Sequence, residues 1–340
     1  MGLMEFVPPK KMANRMKIGL VGCGALGSFY GAKLFRDGQD VHFLLRSDYD
    51  PVRRNGIFIT GPEGNFHINP ACARSPQEIG RCDLVIVGLK TTANDQYADL
   101  LPPLVGPNTA VLTLQNGLGN EEQLAALFGS EKILGGLCFV CLNRVAPGRI
   151  QHLAHGRVTL GEFQRWPEPR THDIASMFRH AGVPCQVTDN LEKAHWEKLV
   201  WNIPFNGLGV AGAAGYDALV SGELEQKKLA PCLSTDLLLG DPRWEHVVRE
   251  LMREIIAAAN ARGLAVPPET EQTQIERTNE MGAYQPSTLI DFARGHALEL
   301  QSLFLEPLRL AHAAGIEAPW LTRLCRVLEL LDARRAQILG

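Results

Sequence analysis

The stretch with the most chemical content is Trp196-Glu197-Lys198-Leu199-Val200-Trp201-Asn202-Ile203-Pro204-Phe205-Asn206. Lys198, Asn202 and Asn206 are spaced by four, which on a helix sets an ammonium and two amides in one line. Leu199, Val200, Trp201, Ile203 and Phe205 around them are apolar, so most of this helix is expected to be buried. A polar stripe in such a setting is costly unless partners or water meet it. Partial burial also lowers the pKa of an amine, which suits Lys198 to donating a proton near neutrality. The plainer alternative is a lysine that reaches water while the asparagines cap loops; the spacing favours the functional reading. Pro204 lacks an N–H, so it frees a carbonyl one turn earlier and interrupts the helix. Further along, Ser287 stands near the start of a helix opened by Pro286 and running through Asp291. Glu299 lies in the apolar setting Ala297-Leu298-Glu299-Leu300, where its carboxylate either pairs with Lys198 or faces solvent.

A second constellation points to a nucleotide. Lys17 to Val21 reads as an apolar strand that runs into Gly22-Cys23-Gly24-Ala25-Leu26-Gly27 and then a helix from Phe29 to Arg36. In the spacing G-x-G-x-x-G, the first glycine makes the turn and the second admits a pyrophosphate. The third lets helix and strand pack closely. The helix N-terminus offers N–H groups and a positive dipole end to the phosphates. A second strand follows on schedule, Asp40 to Leu45. Where an acid would hydrogen-bond the ribose hydroxyl of NAD, this chain has Arg46, with Arg53 and Arg54 further on; a guanidinium suits a 2′-phosphate, so the expected cofactor is NADP(H). Asp48 is the one nearby residue that argues for NAD. Two more strand ends carry polar residues: Lys90 after Asp83–Leu89, and Gln115-Asn116-Gly117 after Thr109–Leu114.

The elements that position these groups divide into two domains. Strands and helices alternate from Met16 to about Ile150, which predicts a parallel α/β sheet. Ser75-Pro76-Gln77-Glu78 reads as a capping box opening a short helix. Gly, Val and Leu alternate with turn signals from Lys132 to Glu162, suggesting antiparallel strands that finish the sheet. After Thr188 the pattern is helical almost throughout. One helix runs from Arg243 to Ala261 with Asp241 as N-cap, and others occupy roughly Pro286 to Ala314 and Pro319 to Ile338. The expected organisation is a disordered extension at 1–15, a Rossmann domain at 16–188 and an all-α substrate and catalytic domain at 189–340, with the cofactor cleft at the carboxyl ends of the strands.

Composition excludes several other classes. At 340 residues, 45% hydrophobic and 21% charged, the chain reads as soluble and globular. A net charge of −3 without a long basic run argues against nucleic acid, and no apolar run is long enough for a membrane span. Eight scattered cysteines are too sparse for a disulfide scaffold and suit a reducing cytoplasm. Cys138-x-x-Cys141 has metal-like spacing but sits inside an apolar run, so a core strand is expected and no metal.

These pieces together resemble the ketopantoate reductase (2-dehydropantoate 2-reductase) family, over nearly the whole chain from Met16. The order that carries the likeness is Gly22-x-Gly24-x-x-Gly27, Arg46, Leu89-Lys90, Gln115-Asn116-Gly117, Gly161-Glu162, Trp196-x-Lys198-Leu199-x-x-Asn202-x-x-x-Asn206, and Ser287 through Asp291 to Glu299. The resemblance implies a Rossmann domain followed by a helical domain, and NADPH-dependent reduction of 2-dehydropantoate as in pantothenate biosynthesis. It implies that Lys198 is the general acid and Glu299 the substrate-binding and catalytic carboxylate. Asn116, Asn202, Asn206 and Ser287 would orient the substrate. Gly22 to Gly27, Arg46, Lys90 and Asn116 would meet the cofactor. Its partner would be a small 2-oxo acid, with a homodimer as a possible assembly. The chain departs from the family pattern after Asn206, where Gly207 to Gly215 is a run of small residues without the usual further asparagine. The rivals to this reading are a reductase of another small 2-oxo acid and, from a different class, a non-catalytic NADP(H)-binding sensor.

Overall fold

The structure is a computed structural model that describes residues 5–6, 15–224 and 228–339. The segment 1–15, expected to lack structure, lies largely outside the described residues; within it Glu5–Phe6 forms a short strand, so that part pairs rather than trails. The strands are β1 (Glu5–Phe6), β2 (Lys17–Val21), β3 (Asp40–Leu44), β4 (Ile57–Thr60), β5 (Phe66–Ile68) and β6 (Ala71–Ala73). They continue as β7 (Cys82–Val87), β8 (Val105–Thr113), β9 (Ile133–Ala146), β10 (Arg149–Glu162) and β11 (Cys185–Val187). In space β6-β3-β2-β7-β8-β9 run side by side, all parallel. Counted from β2, this is the 3-2-1-4-5-6 order of a dinucleotide-binding sheet, whose topological switch point falls between β2 and β7. β10 turns back antiparallel to β9 as the turn signals predict, yet it does not finish the sheet: β4, β5 and β1 extend it and β11 pairs with β10.

Successive residues of a strand point to opposite faces, and both faces are buried here. Leu84 and Ile86 of β7 join one apolar cluster with Ile18, Leu20 and Leu112, whereas Val85 and Val87 join another with Val21 and Val111. Helix α1 (Ala25–Arg36) starts directly after Gly24, a turn earlier than expected. The next helices are α2 (Tyr49–Asn55), α3 (Asn120–Phe128) and α4 (Pro169–His180). The Ser75–Glu78 capping box is present and opens the short helix Pro76–Ile79.

The chain divides into two compact units. One holds the residues up to Gln115 together with Asn120–Leu191, and the other holds Asn116–Gly119 together with the chain from Glu192 onward. The second unit is helical, with α5 (Leu191–Asn202), α6 (Pro242–Ala261), α7 (Ser287–Ala293), α8 (Glu306–Ala313) and α9 (Pro319–Leu339). The α6 face Val247, Val248, Leu251, Met252, Ile255, Ile256 and Ala259 enters its core, and Asp241 caps α6 by accepting the Arg243 N–H at 2.9 Å. The single helix expected over Pro286–Ala314 is two helices instead. Gly295 takes φ +76° after Ala293, and the His296 N–H turns back to the Asp291 carbonyl at 2.9 Å, which closes α7.

The glycine turn supplies a stability test. A Cβ on Gly27 would stand 2.3 Å from the Gly22 carbonyl oxygen, whereas a Cβ on Gly24 would meet nothing within 4 Å. Gly27→Ala is expected to destabilise the protein by about 1–3 kcal/mol through backbone displacement. Gly24→Ala should cost less than about 1 kcal/mol. Urea unfolding of both variants reads the difference, and equal losses would contradict the packing.

Candidate active site

The glycine turn lies at the switch point, backed by the end of β7. The Gly88 N–H donates to the Val21 carbonyl at 2.7 Å, and a Cβ on Gly22 (φ +95°) would fall 2.2 Å from the Leu89 nitrogen. The turn is thus pressed onto Gly88-Leu89, and the chain continues into Lys90, which is exposed. On its other side the turn is open at Gly24. Helix α1 has no acid in its first turn and no side chain capping its N-terminus. An open second glycine and an uncapped, acid-free helix start fit a pyrophosphate. The Cys23 side chain is turned to the end of β3. Its thiol donates to the Leu44 carbonyl at 3.3 Å, and burial, followed by the nearby Cys72 and Asp48, pushes its pKa far up, so it stays protonated. Ala25 and Leu26 form the first turn of α1.

The end of β3 carries the residues that read a ribose in this fold. Arg46 is exposed there. Asp48 is only 8% exposed and is engaged by a residue the sequence did not single out: Arg144 of β9 donates Nε to Oδ2 at 3.1 Å and Nη2 to Oδ1 at 2.5 Å.

At the end of β8 the two polar residues, Gln115 and Asn116, have different partners. Gln115 turns inward. Its Oε1 accepts from Thr113 Oγ1 at 2.9 Å and from Tyr97 Oη, and its Nε2 donates to Asn94 Oδ1 at 2.8 Å. Asn94 in turn donates to Asn120 Oδ1 at 2.9 Å. Gln115 is therefore a scaffold residue that fixes the end of the strand.

Asn116 begins the short segment that folds with the second unit. There Lys198 Nζ donates to Asn116 Oδ1 at 2.8 Å, joining two motifs 82 residues apart. The segment is seated by the Leu118 N–H, which donates to the Ser302 carbonyl at 2.9 Å. Gly117, at φ +84°, lies against the same carbonyl; a Cβ would stand 2.3 Å from its oxygen. Ser302 belongs to a wide π turn, Gln301–Leu305, that follows Glu299 and leads into α8. Glu299 is 6% exposed, so of the two alternatives its sequence setting left open, facing solvent does not hold. The residue before it is anchored from α9: Asp332 Oδ1 accepts the Leu298 N–H at 3.0 Å, and Arg335 holds both that carboxylate and the Gly295 carbonyl.

Asn202 and Asn206 are both buried. Pro204 does not end the helix. The chain widens into a π turn over Ile203–Leu208, continuing from α5, and Asn206 Nδ2 donates to the Asn202 carbonyl at 3.0 Å. Asn206 Oδ1 accepts the Thr288 N–H at 3.2 Å, so this amide caps α7 from another element. Ser287 is exposed one residue away. Two of the amide's four hydrogen-bonding positions are thus used by the protein, and one N–H and one acceptor position remain. Among the described residues no group of three or more His, Cys, Asp or Glu could hold a metal ion, and no helix is long and apolar enough to cross a membrane. Cys138 and Cys141 are buried thiols in β9.

Comparison with known proteins bears on both units. Residues 18–165 match the family model described as ketopantoate reductase PanE/ApbA, and residues 190–332 match its C-terminal counterpart. A Nostoc protein named 2-dehydropantoate 2-reductase is 37% identical over 94% of this chain and 97% of its own length. Among solved structures, 2-dehydropantoate 2-reductase from Geobacter metallireducens is similar at 46% identity and a TM-score of 0.84, covering 92% of this chain and 99% of the other. The enzyme of the same name from Methylococcus capsulatus is similar at 31% identity and a TM-score of 0.82, covering 94% and 97%. With a dinucleotide-binding sheet, a helical second unit and family matches along both, the chain belongs to the ketopantoate reductase family of oxidoreductases.

Proposed function

We propose that this chain reduces 2-dehydropantoate to pantoate with NADPH in the cytoplasm. The observation that carries the reading is the Lys198–Asn116 hydrogen bond in the unit that also buries Glu299, Asn202 and Asn206. A non-catalytic sensor needs neither the lysine nor the buried carboxylate. In this reading the first unit is the cofactor domain. Gly22 to Gly27 and the start of α1 hold the pyrophosphate, Arg46 pairs with the 2′-phosphate, and Lys90 and Asn116 border the cofactor. The nicotinamide, when bound, supplies the hydride that reaches the keto carbon.

The chain's own residues supply the rest. Lys198 Nζ, aimed by Asn116, donates to the keto oxygen, stabilises the negative charge that develops there and delivers the proton that completes the alcohol. Glu299 binds the substrate and offers a carboxylate to its hydroxyl. Asn202, the remaining N–H of Asn206, and Ser287 orient the carboxylate and hydroxyl ends, which holds the keto carbon in an attack-ready pose.

Three measurements test this. Lys198→Ala should lower turnover by about 10²–10⁴-fold while leaving NADPH affinity nearly unchanged; near-normal turnover would assign the lysine to structure. Arg46→Ala should weaken NADPH binding and leave NADH binding little changed, because the lost contact is with the phosphate alone. Equal losses for both cofactors would remove Arg46 from that role. Finally, 2-dehydropantoate should be preferred over 2-oxoisovalerate, which lacks the hydroxyl, by about 10⁴–10⁵ in kcat/KM if the buried polar groups read that hydroxyl. Comparable constants, followed by absorbance of NADPH, would leave a reductase of another 2-oxo acid.

A further inference from the structure

We infer that Arg144 is a specificity-determining residue for the cofactor: by holding Asp48 it withdraws the one carboxylate at the end of β3 that would recognise an unphosphorylated ribose. The inference deepens the NADPH reading and rests on it. A carboxylate at this place in the fold accepts hydrogen bonds from ribose hydroxyls and repels a phosphate. Asp48 is two residues past Arg46, and the Tyr49 N–H returning to the Arg46 carbonyl at 3.4 Å makes the two parts of one turn. The same strand end touches the glycine turn through Cys23 Sγ and the Leu44 carbonyl.

Asp48 precedes α2 and is placed to cap it, yet its side chain makes no cap hydrogen bond. Only its backbone carbonyl serves the helix, accepting the Val52 N–H at 2.9 Å. Both carboxylate oxygens face Arg144 instead, and Oδ1 also accepts from Ser47 Oγ at 3.2 Å. The fork geometry takes both oxygens and cancels the charge. Arg144 itself stays 39% exposed in its side chain, so a guanidinium face remains on the solvent side of the pair. The turn thereby presents Arg46 and the paired Arg144 to a phosphate, with the opposing negative charge neutralised.

The test is direct binding of NADPH and NADH to the substrate-free protein, followed by nicotinamide fluorescence. The 2′-phosphate is probed in parallel by the thermal shift with 2′,5′-ADP against that with 5′-AMP. Arg144→Met is expected to weaken NADPH binding at least tenfold and leave NADH binding equal or tighter. Adding Asp48→Asn to Arg144→Met should restore most of the NADPH affinity, an outcome that a merely structural role for the pair would not produce. Should Arg144→Met fail to fold, Asp48→Asn alone decides: NADPH should bind at least as tightly as to wild type, and a tenfold loss overturns the inference. A wild-type protein that prefers NADPH, with an Arg144→Met variant that keeps the preference undiminished, overturns the role of Arg144 and leaves the NADPH reading standing. A wild-type protein that binds NADH as tightly as NADPH overturns both.

Discussion

The candidate site depends on one close approach. Gly117 lies against the Ser302 carbonyl at a distance that no side chain permits, and the next amide, Leu118, hydrogen-bonds the same oxygen. That seat fixes Asn116, and Asn116 holds the Lys198 ammonium. Ser302 stands shortly after Glu299, so the carboxylate and the amide loop are tied to one turn of chain. Upstream, Asp332 fixes the Leu298 N–H. Glycine conformation, backbone hydrogen bonding and a charged anchor thus converge on a few side chains separated widely in sequence.

Proline has a constructive part in the same unit. Pro204 cannot donate to the carbonyl a turn earlier, and the helix responds by widening over Ile203–Leu208 rather than by ending. A second wide turn, Gln301–Leu305, precedes Pro307 in α8. The two widened segments pack against each other, and they carry or adjoin Asn202, Asn206, Glu299 and Ser302. Wide turns shift the side chains that follow them around the helix, and such distortions are frequent at functional sites.

What the sequence made legible follows from the range of the forces involved. The glycine turn, the parallel strands and the caps at Ser75 and Asp241 are local, and each has a residue-level cause visible in a short window. The Lys198–Asn202–Asn206 spacing was visible because helix periodicity is local too. Glu299 is ambiguous in sequence because periodicity gives a face without naming what covers it; burial removes the solvent-facing alternative. The break at Gly295 was missed because a lone glycine is tolerated inside many helices. Gln115 is a polar residue at a strand end, and its place there does not show that its partners, Tyr97 and Asn94, lie on a neighbouring segment. Arg144 was out of reach altogether: its partner is 96 residues away, and nothing in the texture of β9 distinguishes it from any other surface arginine.

The width of the sheet carries a consequence of its own. Exposed strand edges invite pairing with other chains, and a broad sheet with long edges would be prone to aggregate. Here the outermost strand on one side, β6, is Ala71–Ala73 and follows Pro70, while β1 at the other end is Glu5–Phe6 and the branch strand β11 is Cys185–Val187. The long strands, β9 and β10, lie inside the sheet. Among the described residues, the strands at the ends of the hydrogen-bonding ladder are thus short, and the long ones have both neighbours within the sheet.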